Sequence, residues 1–157
     1  MNAVADMRLL KTMNLDLLAE RAKELANESN CHYPMCAFVL RSTNKILSYG
    51  VNKKGWCGKS IHAEVNAIRR LVRTKKRAKG AIVFVARHTK TGRRANARPC
   101  ANCVEVMRMM GIKKVAWTTG RQTIEIASID DVDTDYIPKT SSPSSYTGLE
   151  CVMDRGD

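Results

Sequence analysis

Residues 60–86 read SIHAEVNAIRRLVRTKKRAKGAIVFVA. Ser60 is expected to open a helix running to about Arg77, with Glu64 near its first turn. Ala81 to Ala86 (AIVFVA) is an unbroken apolar run bounded by charged residues, the pattern of a buried strand. Working outward, Met35 to Leu40 and Ile46 to Val51 are short apolar runs on either side of Ser42-Thr43-Asn44-Lys45, which predicts a hairpin. Leu15, Leu18, Ala22 and Leu25 fall at helical spacing, with Asn14 as N-cap, so Leu15 to Ala26 reads as an amphipathic helix. Asn27 to Pro34 and Asn52 to Lys59 are loops. Downstream, His88 to Arg98 reads as a polar, basic loop. Pro99 opens a helix that Gly111 ends. Val115 to Thr118 is a further strand, and Thr123 to Ala127 an edge strand. The strand, helix, strand, helix, strand order after residue 46 predicts an α/β fold with parallel pairing and right-handed crossovers.

The chain has 157 residues, enough for one domain of ordinary size with a core that needs no disulfides. At 44% hydrophobic it is no disordered chain. No apolar run approaches the roughly 20 residues that span a bilayer. Asp6, Arg8, Lys11 and Asp16 interrupt any secretory core near the N-terminus. The expected compartment is the cytoplasm, where the six cysteines are reduced, as buried thiols or metal ligands. Thr140 to Tyr146 (TSSPSSY) suggests a flexible tail, so residues 1–127 are read as the domain and 128–157 as an acidic, Ser/Pro-containing extension.

The net charge is +12, unevenly spread. Residues 1–124 carry 25 Lys and Arg against 7 Asp and Glu, whereas residues 125–157 carry 2 against 8. No acidic residue lies between Val65 and Val104. The basic stretch from Arg69 to Arg98 is either a solvated face or a surface for a polyanion, such as a nucleotide phosphate or a nucleic acid backbone.

Two segments carry chemistry. His62-Ala63-Glu64 and Pro99-Cys100-Ala101-Asn102-Cys103 both stand at expected helix starts. Cys100 and Cys103 are three apart, so on a helix they share a face, and a helix N-terminus helps thiols ionise. Two cysteines and one histidine make three ligands for zinc, leaving a fourth position for water. Glu64 points to a different azimuth from His62 and is free to move protons. A closed structural zinc site would need a fourth ligand, for which Cys31, His32, Cys36, Cys57, His88 and Cys151 are present, none at a spacing that demands it.

The pair H-x-E and P-C-x-x-C resembles the signature of the zinc-dependent cytidine and deoxycytidylate deaminase superfamily, over roughly Leu15 to Thr119. HAEVNAI is similar to the deoxycytidylate version of the motif. The resemblance implies a three-layer α/β/α fold with a mixed, roughly five-stranded sheet. It implies Zn2+ held by His62, Cys100 and Cys103, with Glu64 as proton shuttle and zinc-bound hydroxide as the nucleophile that converts cytosine to uracil. Asn52 is similar to the family asparagine that holds the sugar, and the Ala63 backbone amide to the group that contacts the pyrimidine carbonyl. Asn66 is either an outer neighbour of the metal site or a surface amide; Trp56 either stacks on a base or caps the core. A homo-oligomer and no membrane partner are expected.

Because the motif begins with His62, the small free-cytidine deaminases, whose motif begins with cysteine, are disfavoured. The remaining substrates are a pyrimidine nucleotide such as dCMP, adenosine in tRNA, and cytosine in single-stranded nucleic acid. A non-catalytic zinc-stabilised nucleic-acid-binding module is the non-enzymatic alternative. Low aromatic content, 5%, argues against a stacking platform for a strand and favours the nucleotide. Arg93 and Arg94, in the insertion leading to Cys100, are then expected to meet its phosphate.

Overall fold

A computed structural model describes residues 15–41, 45–55 and 60–132. Asn14, the turn at 42–44, Trp56, Cys57, Cys151 and the Ser/Pro-rich tail lie outside the described residues. Residues 15–25 are helical (α1). Strand β1 is Met35–Leu40 and β2 is Ile46–Val51. Two-residue strands β3 (Lys53–Lys54) and β4 (Ser60–Ile61) pair with each other. Helix α2 is Ala63–Arg73, β5 is Ile82–His88 and β6 is Arg94–Ala95. Helix α3 is Ala101–Met109, β7 is Lys114–Thr118 and β8 is Ile124–Ser128.

The main sheet runs β2-β1-β5-β7-β8, with β6 added at the end of β5. It is mixed, as expected. The β5–β7 pair, joined through α3, is parallel, and the other pairs are antiparallel. The expected parallel pairing therefore holds for one neighbour pair. The β2-α2-β5 crossover steps over β1, because β1 is apolar on both faces and takes an interior place beside β5 while β2 is left at the edge.

Three layers result. On one face, Ala37, Val39, Val83, Val85, Val115 and Trp117 pack against Ala67, Ile68 and Leu71 of α2 and Val104 and Met107 of α3. On the other, Phe38, Leu40, Phe84 and Ala116 pack against Leu15, Ala19 and Ala22 of α1. The chain goes on packing past β8, with Ile129 and Val132 buried in the α2/α3-side core.

Helix α2 lies unusually close to β2. A Cβ on Gly50 would meet the Ala67 backbone nitrogen at 2.4 Å. Ser48 Oγ donates to the Ala67 carbonyl at 2.8 Å, and Asn66 Nδ2 to the Val51 carbonyl at 2.8 Å. Asn66 is thus a tie between helix and strand. The helix is shorter at both ends than the sequence suggests. Ser60, a good capping residue, is drawn instead into the pairing with Lys54, so the helix waits until Ala63. At the other end Thr74 closes it and Lys75 turns to φ +59°.

Candidate active site

His62 and Cys100 occupy the N-cap positions of α2 and α3, and neither side chain caps its helix. Ser, Thr, Asp or Asn there is worth about 1 kcal/mol over a non-capping residue. That stabilisation is forgone, and the two side chains turn toward each other instead. His62 Nδ1 lies 3.1 Å from Cys103 Sγ and 3.5 Å from Cys100 Sγ. The ligand atoms of the three residues all fall within 4.8 Å of one another. Tetrahedral zinc with Zn–S of about 2.3 Å and Zn–N of about 2.0 Å sets ligand atoms roughly 3.5–3.8 Å apart. The donor set fits zinc in both chemistry and spacing. Among the described residues no other cluster of three such side chains gathers, so Cys31, His32 and Cys36 form no second site.

The electrostatics follow from the packing. The Cys100 thiol is held down at about 4, first by the hydrogen bond from Cys103 and then by His62. Its thiolate in turn pushes the His62 imidazole up to about 9. Cys103 is pushed well above the ordinary thiol range by its bond to Cys100 and by burial. Glu64 is 2% exposed. Burial pushes its carboxyl upward, against the opposing pull of His62.

Other expected site residues divide into those gathered here and those that are not. Ala63 is buried at the first position of α2, where backbone N–H groups have no intrahelical partner. Continuing the β3–β4 register places Asn52 opposite His62, so it lies beside the site. Its amide is heavily engaged. Oδ1 accepts from Met35 N at 2.9 Å and from Ser29 Oγ at 2.8 Å, and Nδ2 donates to the Tyr33 carbonyl at 2.8 Å. Asn52 thereby braces the 29–35 loop.

The insertion is a β-hairpin rather than a loop. β5 continues to His88, the chain turns through Gly92 at φ +85°, and β6 pairs back with Arg87↔Ala95 and His88↔Arg94. That register puts Arg94 on the α1 side of the sheet, away from the cysteines. There it pairs with Asp16 at 2.8 Å and donates to the Gln122 carbonyl at 3.0 Å. Arg93 is exposed in the turn, its backbone closing on Thr89.

Two contributors were not evident in the sequence. Thr118, fully buried at the end of β7, accepts from Arg87 N at 3.1 Å and donates to the Ala95 carbonyl at 2.8 Å, while its own carbonyl takes Ala97 N at 2.9 Å. It fastens the segment that delivers Pro99 and Cys100. A lone polar residue ending an apolar strand was the one available sign. Arg87 lies over the Tyr33 ring at 4.8 Å. Directly opposite Met35 in the register, it shares the sheet face of α2 and α3. A charge ending an otherwise apolar strand hinted at it.

A three-layer α/β/α fold that brings one histidine and two cysteines to the starts of two helices, with a buried glutamate beside them, defines a zinc-site protein of the deaminase type. The chain belongs to the cytidine and deoxycytidylate deaminase family, whose zinc-binding-region model matches residues 13–119. Solved structures agree on the fold. A cytidine deaminase from Burkholderia pseudomallei superposes with TM-score 0.61 at 21% identity, covering 78% of this chain and 98% of that one. The dCMP deaminase of cyanophage S-TIM5 gives 0.51 at 22%, over 66% and 80%. A cytidine deaminase from Mycobacterium leprae gives 0.54 at 18%, over 73% and 92%. Among curated proteins none matches the sequence.

Proposed function

We propose that this chain deaminates cytosine to uracil hydrolytically on a pyrimidine nucleotide such as dCMP. The observation that carries the reading is Glu64, a buried carboxyl raised by its surroundings, two residues from His62 and beside Cys100 and Cys103. His62, Cys100 and Cys103 would hold zinc, and the metal, when bound, would make water acidic enough to give up a proton near neutral pH. Glu64 takes one proton from the attacking water and passes it to the ring nitrogen, then takes the second from the hydroxyl so added to the ring and delivers it to the exocyclic amine. Water adds at the amine-bearing carbon, the carbon–nitrogen bond breaks, ammonia leaves, and the ring keeps a carbonyl oxygen. A carboxyl raised by burial suits this double duty, because it must accept and donate in turn.

The Ala63 N–H meets the pyrimidine carbonyl, and Asn52 offers the sugar its one uncommitted N–H. For the phosphate, the cations at hand are Arg87, on the site face of β5, and Arg93 in the adjoining turn. Arg94 is engaged by Asp16. The cyanophage dCMP deaminase, whose fold this chain shares, is known in complex with dCMP and dUMP, which makes a nucleotide the first substrate to try. The test is ammonia release from dCMP, CMP, dCTP, cytidine and a cytosine-containing oligonucleotide. Turnover of dCMP well above cytidine is expected. Turnover of the oligonucleotide alone would overturn the substrate assignment and leave the chemistry standing.

A further inference from the structure

The strongest unexplained feature of the molecule is its charge at the end away from the site. Helix α2 starts at His62 and carries the chain 11 residues to Arg73, about 16 Å at 1.5 Å per residue. The basic run that follows it therefore lies at the opposite pole from the cysteines. Packing gathers further cations there. Arg41, just past β1, donates Nη2 to the Arg77 carbonyl at 3.0 Å. The Gly80 N–H bonds to the Gly111 carbonyl at 2.8 Å, bringing Lys79 against the turn that follows α3. Arg41, Arg73, Lys75, Lys76, Arg77 and Lys79 are all exposed. Among the described residues none of these six side chains forms an ion pair. Where acids are near, they are used. Arg108 pairs with Glu105 at 2.9 Å and Asp130 at 3.8 Å.

We propose that this pole is a docking surface for nucleic acid, read through its phosphates and separate from the catalytic site. Six like charges, five at the end of α2 and in the segment after it and one just past β1, repel each other, and a polyanion relieves that repulsion while releasing its counterions. Lipid is the poorer partner. Interfacial binding wants an exposed apolar helix face beside the cations, whereas the apolar face of α2, with Ala67, Ile68 and Leu71, is buried on the sheet. Tyr49, on β2 beside α2, has its ring covered by the Arg70 guanidinium, 4.8 Å from the ring centroid. Base stacking is therefore not the mode, and binding is indifferent to sequence. The surface lies a helix length from Glu64, so docking there does not use the catalytic residues.

The test is fluorescence anisotropy of labelled 20-nucleotide single-stranded and duplex probes with the zinc-loaded full chain, across a salt series. About five contacted phosphates give a logarithmic salt slope of about −3 to −5. Arg73→Glu/Lys76→Glu/Arg77→Glu should lower affinity at least tenfold and flatten the slope by about 2–3. The Gln version of the same triple keeps the comparison open if charge reversal impairs folding. Neither triple should change turnover of the small substrate, and saturating dCMP should not displace the probe. Glu64→Gln should bind as wild type does, so loss of catalysis and loss of docking read out separately. Absence of salt-dependent binding, an unchanged slope in both triples, displacement by dCMP, or tighter binding to phosphatidylserine vesicles than to either oligonucleotide would each overturn the proposal.

Discussion

Asn52 and Arg94 are both polar side chains beside a metal-type motif, and packing engages them differently. Asn52 uses both amide atoms to brace the 29–35 loop. Arg94 is turned to the far face by its strand register and ties the hairpin to α1 through Asp16, a half-exposed pair worth at most about 1 kcal/mol. Cys36 is a third case. It is fully buried on the α1 side of the sheet, and burial pushes its thiol up to about 12 from 9.0. The folded state holds this proton more tightly than the unfolded chain. Its contribution to stability is complete below about 9 and is lost as pH rises toward about 12. Urea midpoints should therefore fall through that window more steeply for the wild type than for Cys36→Ala. Parallel curves for the two would contradict the burial of an un-ionised thiol.

The elements themselves were largely legible. Both long hairpin strands, the buried strand from Ala81, and the strand ending at Thr118 follow from apolar runs and turn residues. Gly111, at φ +81°, ends α3 as a glycine should. What stayed hidden was pairing. The β3–β4 and β5–β6 ladders are two residues long and leave no periodic trace, yet they set where α2 begins and which face Arg94 takes. The gathering of His62, Cys100 and Cys103 was legible because thiolate and imidazole are zinc donors, the two cysteines stand at C-x-x-C spacing, and the pair of motifs resembles a known signature. Thr118 and Arg87 were not, since their roles depend on neighbours brought in from other strands. Docking of α2 is equally a matter of neighbours. Gly50→Ala drives a methyl into the Ala67 backbone and should destabilise the chain by about 1–3 kcal/mol, with weaker zinc retention as the His62 end of α2 shifts. Gly120→Ala, where nothing lies within 4 Å, should stay within about 0.5 kcal/mol of wild type. Equal denaturation midpoints for the two variants would refute the close approach of helix and strand.

Across the whole molecule, chemistry and charge are segregated. One end of the sheet collects the starts of α2 and α3 with the histidine, the cysteines and the buried glutamate. The other collects exposed cations at the end of α2, none of them in an ion pair among the described residues. No helix among the described residues is long and apolar enough to cross a membrane. The sequence foretold the excess charge but not its position, because the distance between residue 62 and residue 77 depends on how the helix between them lies. The reading as a whole stands or falls on Glu64, which is assigned proton transfer and no part in holding metal. The decisive measurement is dCMP turnover by Glu64→Gln at matched zinc content, beside wild type. A folded, zinc-replete variant with activity lower by about 10²–10⁴-fold is expected. Undiminished turnover in that variant would contradict the assignment.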